Sequence, residues 1–186
     1  MISFGLQNET ENFENYAAEL MHIKDSFEVG DAEFILKLRQ REEISMHMHR
    51  VDISVSKQIE WIKSHQLIDG DYYFLIWNKK GERIGTISLY DKKNDHCEIG
   101  RAASIGNSVE NIEAFILIYD LAFFEFGYEY LVGTIVPDNW KVKMLDQKFG
   151  FIFNEEVVYI NGMPLQMGKV TREAYELKRP EIVKLL

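Results

Sequence analysis

His96 and Glu98 stand two apart in a stretch rich in strand-forming residues, so their side chains share one face and can hold a water between them. Cys97 alternates to the opposite face, where a buried structural thiol is the better expectation than a nucleophile. A second group is Gly106, Asn107, Ser108 and Asn111, just before a long apolar helix. There the free N–H groups of a helix start, a glycine that takes unusual backbone angles, and side chains that donate can hold a polyanionic small ligand. His47-Met48-His49 offers two imidazoles without acidic or cysteine companions at fixed spacing, so a metal site is not expected.

The elements that must position these groups read off the residue periods. Residues 1–16 show no period and form a loose lead-in, and Ala18 to Ile23 reads as a short strand. Asp31 is placed to cap a helix with Phe34, Ile35 and Leu38 on one face. Ser54 or Ser56 is placed to cap a second, with Ile59, Ile62 and Gln66 facing inward and Trp61 alongside. Tyr72 to Asn78, Arg83 to Tyr90 and His96 to Ala103 form an antiparallel meander. Asn107 to Gly127 carries apolar residues at helical spacing on more than one side, which predicts a buried central helix. Tyr130 to Val136 reads as an interior strand stopped by Pro137, followed by a short helix capped by Asp138 or Asn139 and ended at Gly150. Phe151 to Ile160 and Met163 to Thr171 flank Asn161-Gly162, a strong hairpin signal. Met144, Met163 and Met167 are expected to fill gaps in the core. Residues 172–186 form a C-terminal tail whose apolar side chains must dock somewhere to be buried.

The composition fits this reading. The 186 residues, 46% apolar and 27% charged, suit one globular domain that needs no disulfide. No membrane span or signal peptide is visible, and the lone Cys97 agrees with a reducing compartment, so a cytoplasmic location is expected. The net charge of -9 argues against nucleic acid as a partner.

The order of elements over Ala18 to Thr171 resembles the GNAT superfamily of acyl-coenzyme A-dependent N-acetyltransferases. Ile84-Gly85-Thr86-Ile87-Ser88-Leu89-Tyr90 looks like the family's third strand and Glu98-Ile99-Gly100-Arg101 like its fourth. Asn139-Trp140-Lys141-Val142 through Phe149-Gly150-Phe151 looks like its C-terminal signature. The similarity is greatest to the branches acting on ribosomal-protein N-termini and on nucleotide-linked amino sugars. It implies a mixed α/β fold, a central mostly antiparallel sheet flanked by helices, and acetyl-coenzyme A as cosubstrate without a metal. The implied acceptor is a primary amine of a small molecule, an amino sugar first; a protein N-terminus, or a polyamine or aminoglycoside that an acidic surface would steer, is the alternative.

The resemblance further implies direct attack by the amine on the thioester, with oxyanion donors at the backbone of Ala102 and Ala103. It places Ile105, Gly106, Asn107, Ser108, Asn111 and Asn139 on the coenzyme, with Asn139 also able simply to cap its helix. It puts a general base at Glu98, the alternative being an exposed residue in a cross-strand pair. Tyr159 and Tyr90 are possible proton donors, and His47, His49, Tyr90 and His96 are candidate contacts to the acceptor. An α-amino group titrating near 8 is about one-tenth neutral at pH 7, a handicap of about 1.4 kcal/mol, so a base helps without being strictly required. Two departures stand out. The loop before the central helix is short, with one glycine and with Glu110 near the expected phosphate, so Glu110 has to point away. Asp146 stands where many members keep a tyrosine acid, and it can donate only if its pKa is raised. Together they motivate a catalytically silent binding module as an alternative. The hairpin and tail offer an edge for a homodimer.

Overall fold

The computed structural model describes residues 18–22 and 27–186, so the lead-in expected over residues 1–16 and the last residue of the first expected strand, Ile23, lie outside the described residues. Among the described residues seven strands form one sheet: β1 (Ala18–His22), β2 (Tyr72–Asn78), β3 (Arg83–Tyr90), β4 (His96–Ser104), β5 (Tyr130–Ile135), β6 (Ile152–Ile160) and β7 (Met163–Thr171). Their order is β1-β2-β3-β4-β5-β7-β6, and every pairing is antiparallel except β4 with β5.

β2 shows why this sheet is buried on both sides. Its alternate residues Phe74 and Ile76 enter the main core beneath α4 (Ser108–Asp120), while Tyr73 and Leu75 enter a second core beneath α1 (Val29–Gln40) and α3 (Val55–His65). A strand with two covered faces needs apolar residues throughout, which is how Tyr72 to Trp77 reads. Ser54 caps α3 as one of the two expected residues, its hydroxyl accepting from Lys57 N–H at 3.3 Å. α1 begins earlier than expected. Glu28 is its N-cap, and Asp31, three residues on, accepts from Glu28 N–H at 2.8 Å and from Arg83 Nε at 2.7 Å while buried. A further turn, α2 (Glu42–Ser45), follows α1; four residues are too few to show a period.

α4 is buried on several sides, as its sequence requires, and continues into a wider turn over Leu121–Glu125 in which Phe126 N–H reaches back five residues to Leu121 O. The short helix α5 (Trp140–Lys148) ends before Gly150, whose φ of 94° carries the chain into β6. Asn161 (φ 51°) and Gly162 (φ 79°) turn the β6–β7 hairpin as expected. Met144 and Met167 are exposed rather than core-filling, because α5 lies over the sheet with all its residues at least partly exposed and the hairpin runs out beyond the core. The C-terminal tail is a helix, α6 (Arg172–Val183), capped by Thr171 and docked on this chain's own α4. Tyr175 donates to Asp120 Oδ1 at 2.7 Å, and Arg179 holds both Asp120 oxygens at 2.8 and 2.7 Å. Among the described residues no helix is long and apolar enough to cross a membrane.

Candidate active site

The parallel pairing of β4 with β5 covers only His96 to Glu98 against Tyr130 to Val132, although β4 runs on to Ser104 and β5 to Ile135. Beyond Glu98 the two strands part. The cause lies on the other edge of β4, where the β3 register shifts between Thr86 and Ser88 and Arg101 adopts φ 50°. Such a bulge bends a strand away from its neighbour. The opening is a cavity of about 290 Å³ lined by Ile99, Gly100 and Ala102 on one side and by Gly133, Thr134 and Ile135 on the other. The sheet thus offers a slot with one unpaired strand edge on each wall, a shape suited to a thin extended chain carrying its own hydrogen-bonding groups.

Tyr90 lies in the wall of this slot and donates to Glu98 Oε1 at 2.5 Å. They are cross-strand partners in the β3–β4 register, so their side chains share a face. The hydroxyl reaches over Gly100, where a Cβ would stand 2.8 Å from Tyr90 Oη; the glycine is what leaves room for the bond. Arg101 holds the ring from behind, its guanidinium 4.1 Å from the Tyr90 ring centre and tied to the buried carboxylate of Asp71 at 2.6 and 3.1 Å. Burial and the adjacent carboxylate push the Tyr90 hydroxyl far above its ordinary range, so it keeps its proton and can pass one only in exchange for another.

Asp146 projects from α5 into the same cavity. Burial alone pushes its carboxyl up to about 7, so near neutrality a large share of it carries a proton. Arg39 from α1, and His47 and His49 from the segment after α2, close the remaining side. Arg39 Nη2 donates to His49 O at 2.8 Å and so fastens that segment to α1.

The slot brings together His47, His49, Tyr90, Ala102 and Asn139 of the residues named from sequence. Asn139 makes no capping bond, so its side chain is left to the cavity. Glu98 stands behind Tyr90 and not in the cavity wall. Tyr159 lies 75% exposed on β6, away from the cavity, because the hairpin carries it outward. His96 is turned aside by two partners, Asp95 at 2.7 Å and the Tyr130 ring stacked at 4.5 Å. Ala103 is buried in the β3–β4 ladder opposite Thr86. Cys97 is buried, and its thiol is pushed up to about 12, chiefly by that burial. Among the described residues no three His, Cys, Asp or Glu side chains gather as a metal site needs.

Ile105, Gly106, Asn107, Ser108 and Asn111 form the turn into α4, outside the cavity lining. The turn is satisfied from within. Asn107 Oδ1 accepts from Val109 and Glu110 N–H at 2.9 and 3.0 Å, Asn111 donates to Gly106 O at 3.1 Å, and Glu110 Oε2 accepts from Asn107 N–H at 2.7 Å. Glu110 therefore folds over the helix start instead of pointing away, since a free N–H there attracts any carboxylate within reach. Residues missed from sequence are Arg39, Gly100 and Arg101; they come together only through the bulge and the packing of α1, which no local pattern encodes.

Comparison with known proteins places this geometry. Residues 25–152 match the family model described as an acetyltransferase (GNAT) domain. No curated protein matches the chain. Among solved structures it is similar to apo FdhC, a nucleotide-linked sugar GNAT, at TM-score 0.73 and 22% identity over 90% of this chain and 93% of that one. It is also similar to spermidine N-acetyltransferase from Vibrio cholerae in complex with CoA and spermine, at TM-score 0.73 and 17% identity over 86% and 98%. The Campylobacter jejuni N-acetyltransferase PseH matches at TM-score 0.64 and 17% identity over 84% and 99%.

Proposed function

Because the chain belongs to the GNAT acetyltransferase family, we propose that it transfers an acetyl group from acetyl-coenzyme A to the primary amine of a small amino sugar, nucleotide-linked in keeping with the similarity to FdhC. The observation that carries this reading is the Tyr90–Glu98 hydrogen bond at the wall of the slot between β4 and β5. Acetyl-coenzyme A supplies the thioester carbonyl and the thiol leaving group. Ile99 to Ala102 and Gly133 to Ile135 bind and align its arm along their unpaired edges, and Asn139 donates or accepts beside them. Tyr90 Oη takes a proton from the attacking amine while giving its own to Glu98, so no charged tyrosinate forms. Asp146, which burial leaves protonated in a large share of molecules near neutrality, gives its own proton to the departing sulfur, and exchange with water takes the proton from Glu98 and restores that of Asp146 before the next turnover.

The phosphate end has a cost. Glu110 covers the helix start that a pyrophosphate would use. Like charges about 4 Å apart in a water-like medium repel by about 1 kcal/mol, so Glu110→Gln is expected to tighten acetyl-coenzyme A binding about fivefold, measured by calorimetry. Weaker binding in that variant would mean that Glu110 builds the site instead of obstructing it. The function itself is tested by thiol release from acetyl-coenzyme A with UDP-glucosamine, glucosamine, spermidine and an N-terminal peptide. Turnover with the sugars supports the reading, and turnover with peptide or spermidine alone refutes it.

The edge strand β6 carries exposed Ile152, Val157, Tyr159 and Ile160, a surface that two copies could share as a homodimer. Sedimentation equilibrium at micromolar protein should then give about twice 21.8 kDa, and 21.8 kDa would exclude it.

A further inference from the structure

Among the described residues Arg39 is a cation without a counter-ion. Its Nη2 is bonded to the His49 carbonyl, its Nε is buried without a hydrogen-bond partner, and among the described residues no carboxylate pairs with it. Arg101, which lines the same cavity, is instead neutralised by Asp71. Burial first, and to a lesser degree the Arg101 charge beside it, hold the Arg39 guanidinium below its ordinary value against an opposing contribution from Tyr73, as expected of a charge kept partly from water. His47 adds a second unpartnered polar atom. Its buried Nδ1 has no hydrogen bond and lies 3.5 Å from the exposed Asp138 carboxylate, close enough for weak attraction only.

This cluster makes one end of the cavity cationic in a chain of net charge -9. Of the lining groups, Arg101 is offset by Asp71 and the one carboxyl, Asp146, is kept partly neutral near pH 7 by burial, which leaves Arg39, with the two imidazoles beside it, as the unbalanced charge. A cationic pocket in an anionic protein selects an anionic ligand at short range, whatever the outer surface attracts. The coenzyme phosphates are the wrong occupant, because the turn into α4 where they would sit lies outside this lining.

We propose that the Arg39 guanidinium, with His47 beside it, anchors an oxyanion of the amine acceptor, a diphosphate or a carboxylate, so that the acceptor is an anionic amine and not a polyamine. The inference rests on the acetyltransferase reading above. An oxygen of the anion would accept from the guanidinium and replace the missing counter-ion. A polyamine would bring a second cation against the first, with only the partly protonated Asp146 carboxyl in the lining to receive it.

The test uses one amine in three settings: glucosamine without an anion, muramic acid with a carboxylate, and UDP-glucosamine with a diphosphate. Each is assayed by thiol release against wild type, Arg39→Gln and Arg39→Lys, with circular dichroism confirming the fold of each variant. Wild type should turn over at least one anionic amine at least tenfold better, in kcat/KM, than glucosamine or spermidine; which one distinguishes phosphate from carboxylate. Arg39→Gln should raise KM for that acceptor about 10- to 100-fold, the range for losing a hydrogen bond to a charged group, leaving glucosamine within threefold and KM for acetyl-coenzyme A unchanged. Arg39→Lys should recover part of the loss. Preference for spermidine or glucosamine, or equal losses for every amine in Arg39→Gln, overturns the proposal. Should no amine turn over, the acetyltransferase reading has failed, and calorimetry with UDP and with muramic acid reads the proposal alone: binding by wild type that Arg39→Gln loses supports it, and no binding of either at millimolar concentration overturns it.

Discussion

Asp146→Asn is expected to melt higher than wild type at pH 8 and to turn over more slowly than wild type at pH 6, opposite signs that a merely structural residue would not give. The Asp146 carboxyl is pushed up to about 7 in the folded chain by burial, against about 3.9 in an unfolded one. Below pH ~4 both states hold the proton and nothing is lost. As pH rises from there, the unfolded state ionises freely while the folded state resists, so stability falls until the folded group itself ionises near 7. A three-unit separation corresponds to about 4 kcal/mol at most; water in the cavity reduces this, and a gain of about 1–2 kcal/mol on substitution is expected. For a chain of this size that raises the melting temperature by roughly 2–8 °C at pH 8, and the difference from wild type should vanish below pH ~4. The rate goes the other way. Asn cannot deliver a proton to the departing sulfur, and because a thiol that titrates near 8.5 leaves fairly well unaided, kcat should fall about 10- to 100-fold at pH 6, where the wild-type carboxyl is mostly protonated. Wild-type kcat should also decline as pH climbs past Asp146's titration, a limb the variant lacks. A rate that stays at the wild-type value would remove Asp146 from the mechanism.

Glu98→Gln and Tyr90→Phe form the second large effect, and the test lies in their combination. Gln keeps an oxygen for the Tyr90 hydroxyl but cannot take its proton, while Phe removes the hydroxyl and leaves Glu98 behind a wall it does not itself reach. Each should lower kcat about 10²–10³-fold with the dissociation constant of acetyl-coenzyme A unchanged. If the two act as one relay, the double variant should be no slower than either single one. Multiplied losses would mean separate roles, and full activity in Glu98→Gln would leave the amine to lose its proton to water.

Much of the scaffold was legible in the residues. The meander from Tyr72 to Ala103, the buried α4 behind Asn107 and the Asn161-Gly162 turn each depend on contacts close in sequence, and there the period and the turn residues decide. The site was less legible because it depends on where elements cease to pair. Nothing in Glu98-Ile99-Gly100-Arg101 states that β4 leaves β5 after Glu98, since the bulge depends on the β3 register as much as on β4's own residues. The same holds for Arg39, a residue on an ordinary helix until α1 is laid against the slot. Glu98 was named for a role that the proposed relay divides with Tyr90; that the two are hydrogen-bonded follows from their register, which sets a side chain's neighbour across a strand. Asp31, which has the right type for a cap, sits three residues inside its helix; an acidic residue serves the first turn from either place.

The polyamine alternative and the proposed anionic acceptor rest on charge at different ranges: a chain at -9 attracts cations from a distance, whereas the cavity wall presents Arg39, which no described carboxylate pairs. On the proposed reading, long-range steering and short-range selection have opposite signs.

The central claim is that the slot between β4 and β5 serves acetyl-coenzyme A, and calorimetric titration of the full chain with acetyl-coenzyme A at near-physiological salt tests it most directly. Micromolar binding is the expected result, which would mean that the strand edges hold the coenzyme although Glu110 covers the helix start. No heat of binding up to millimolar coenzyme would contradict the account and leave the fold as a binding module without acetyl transfer.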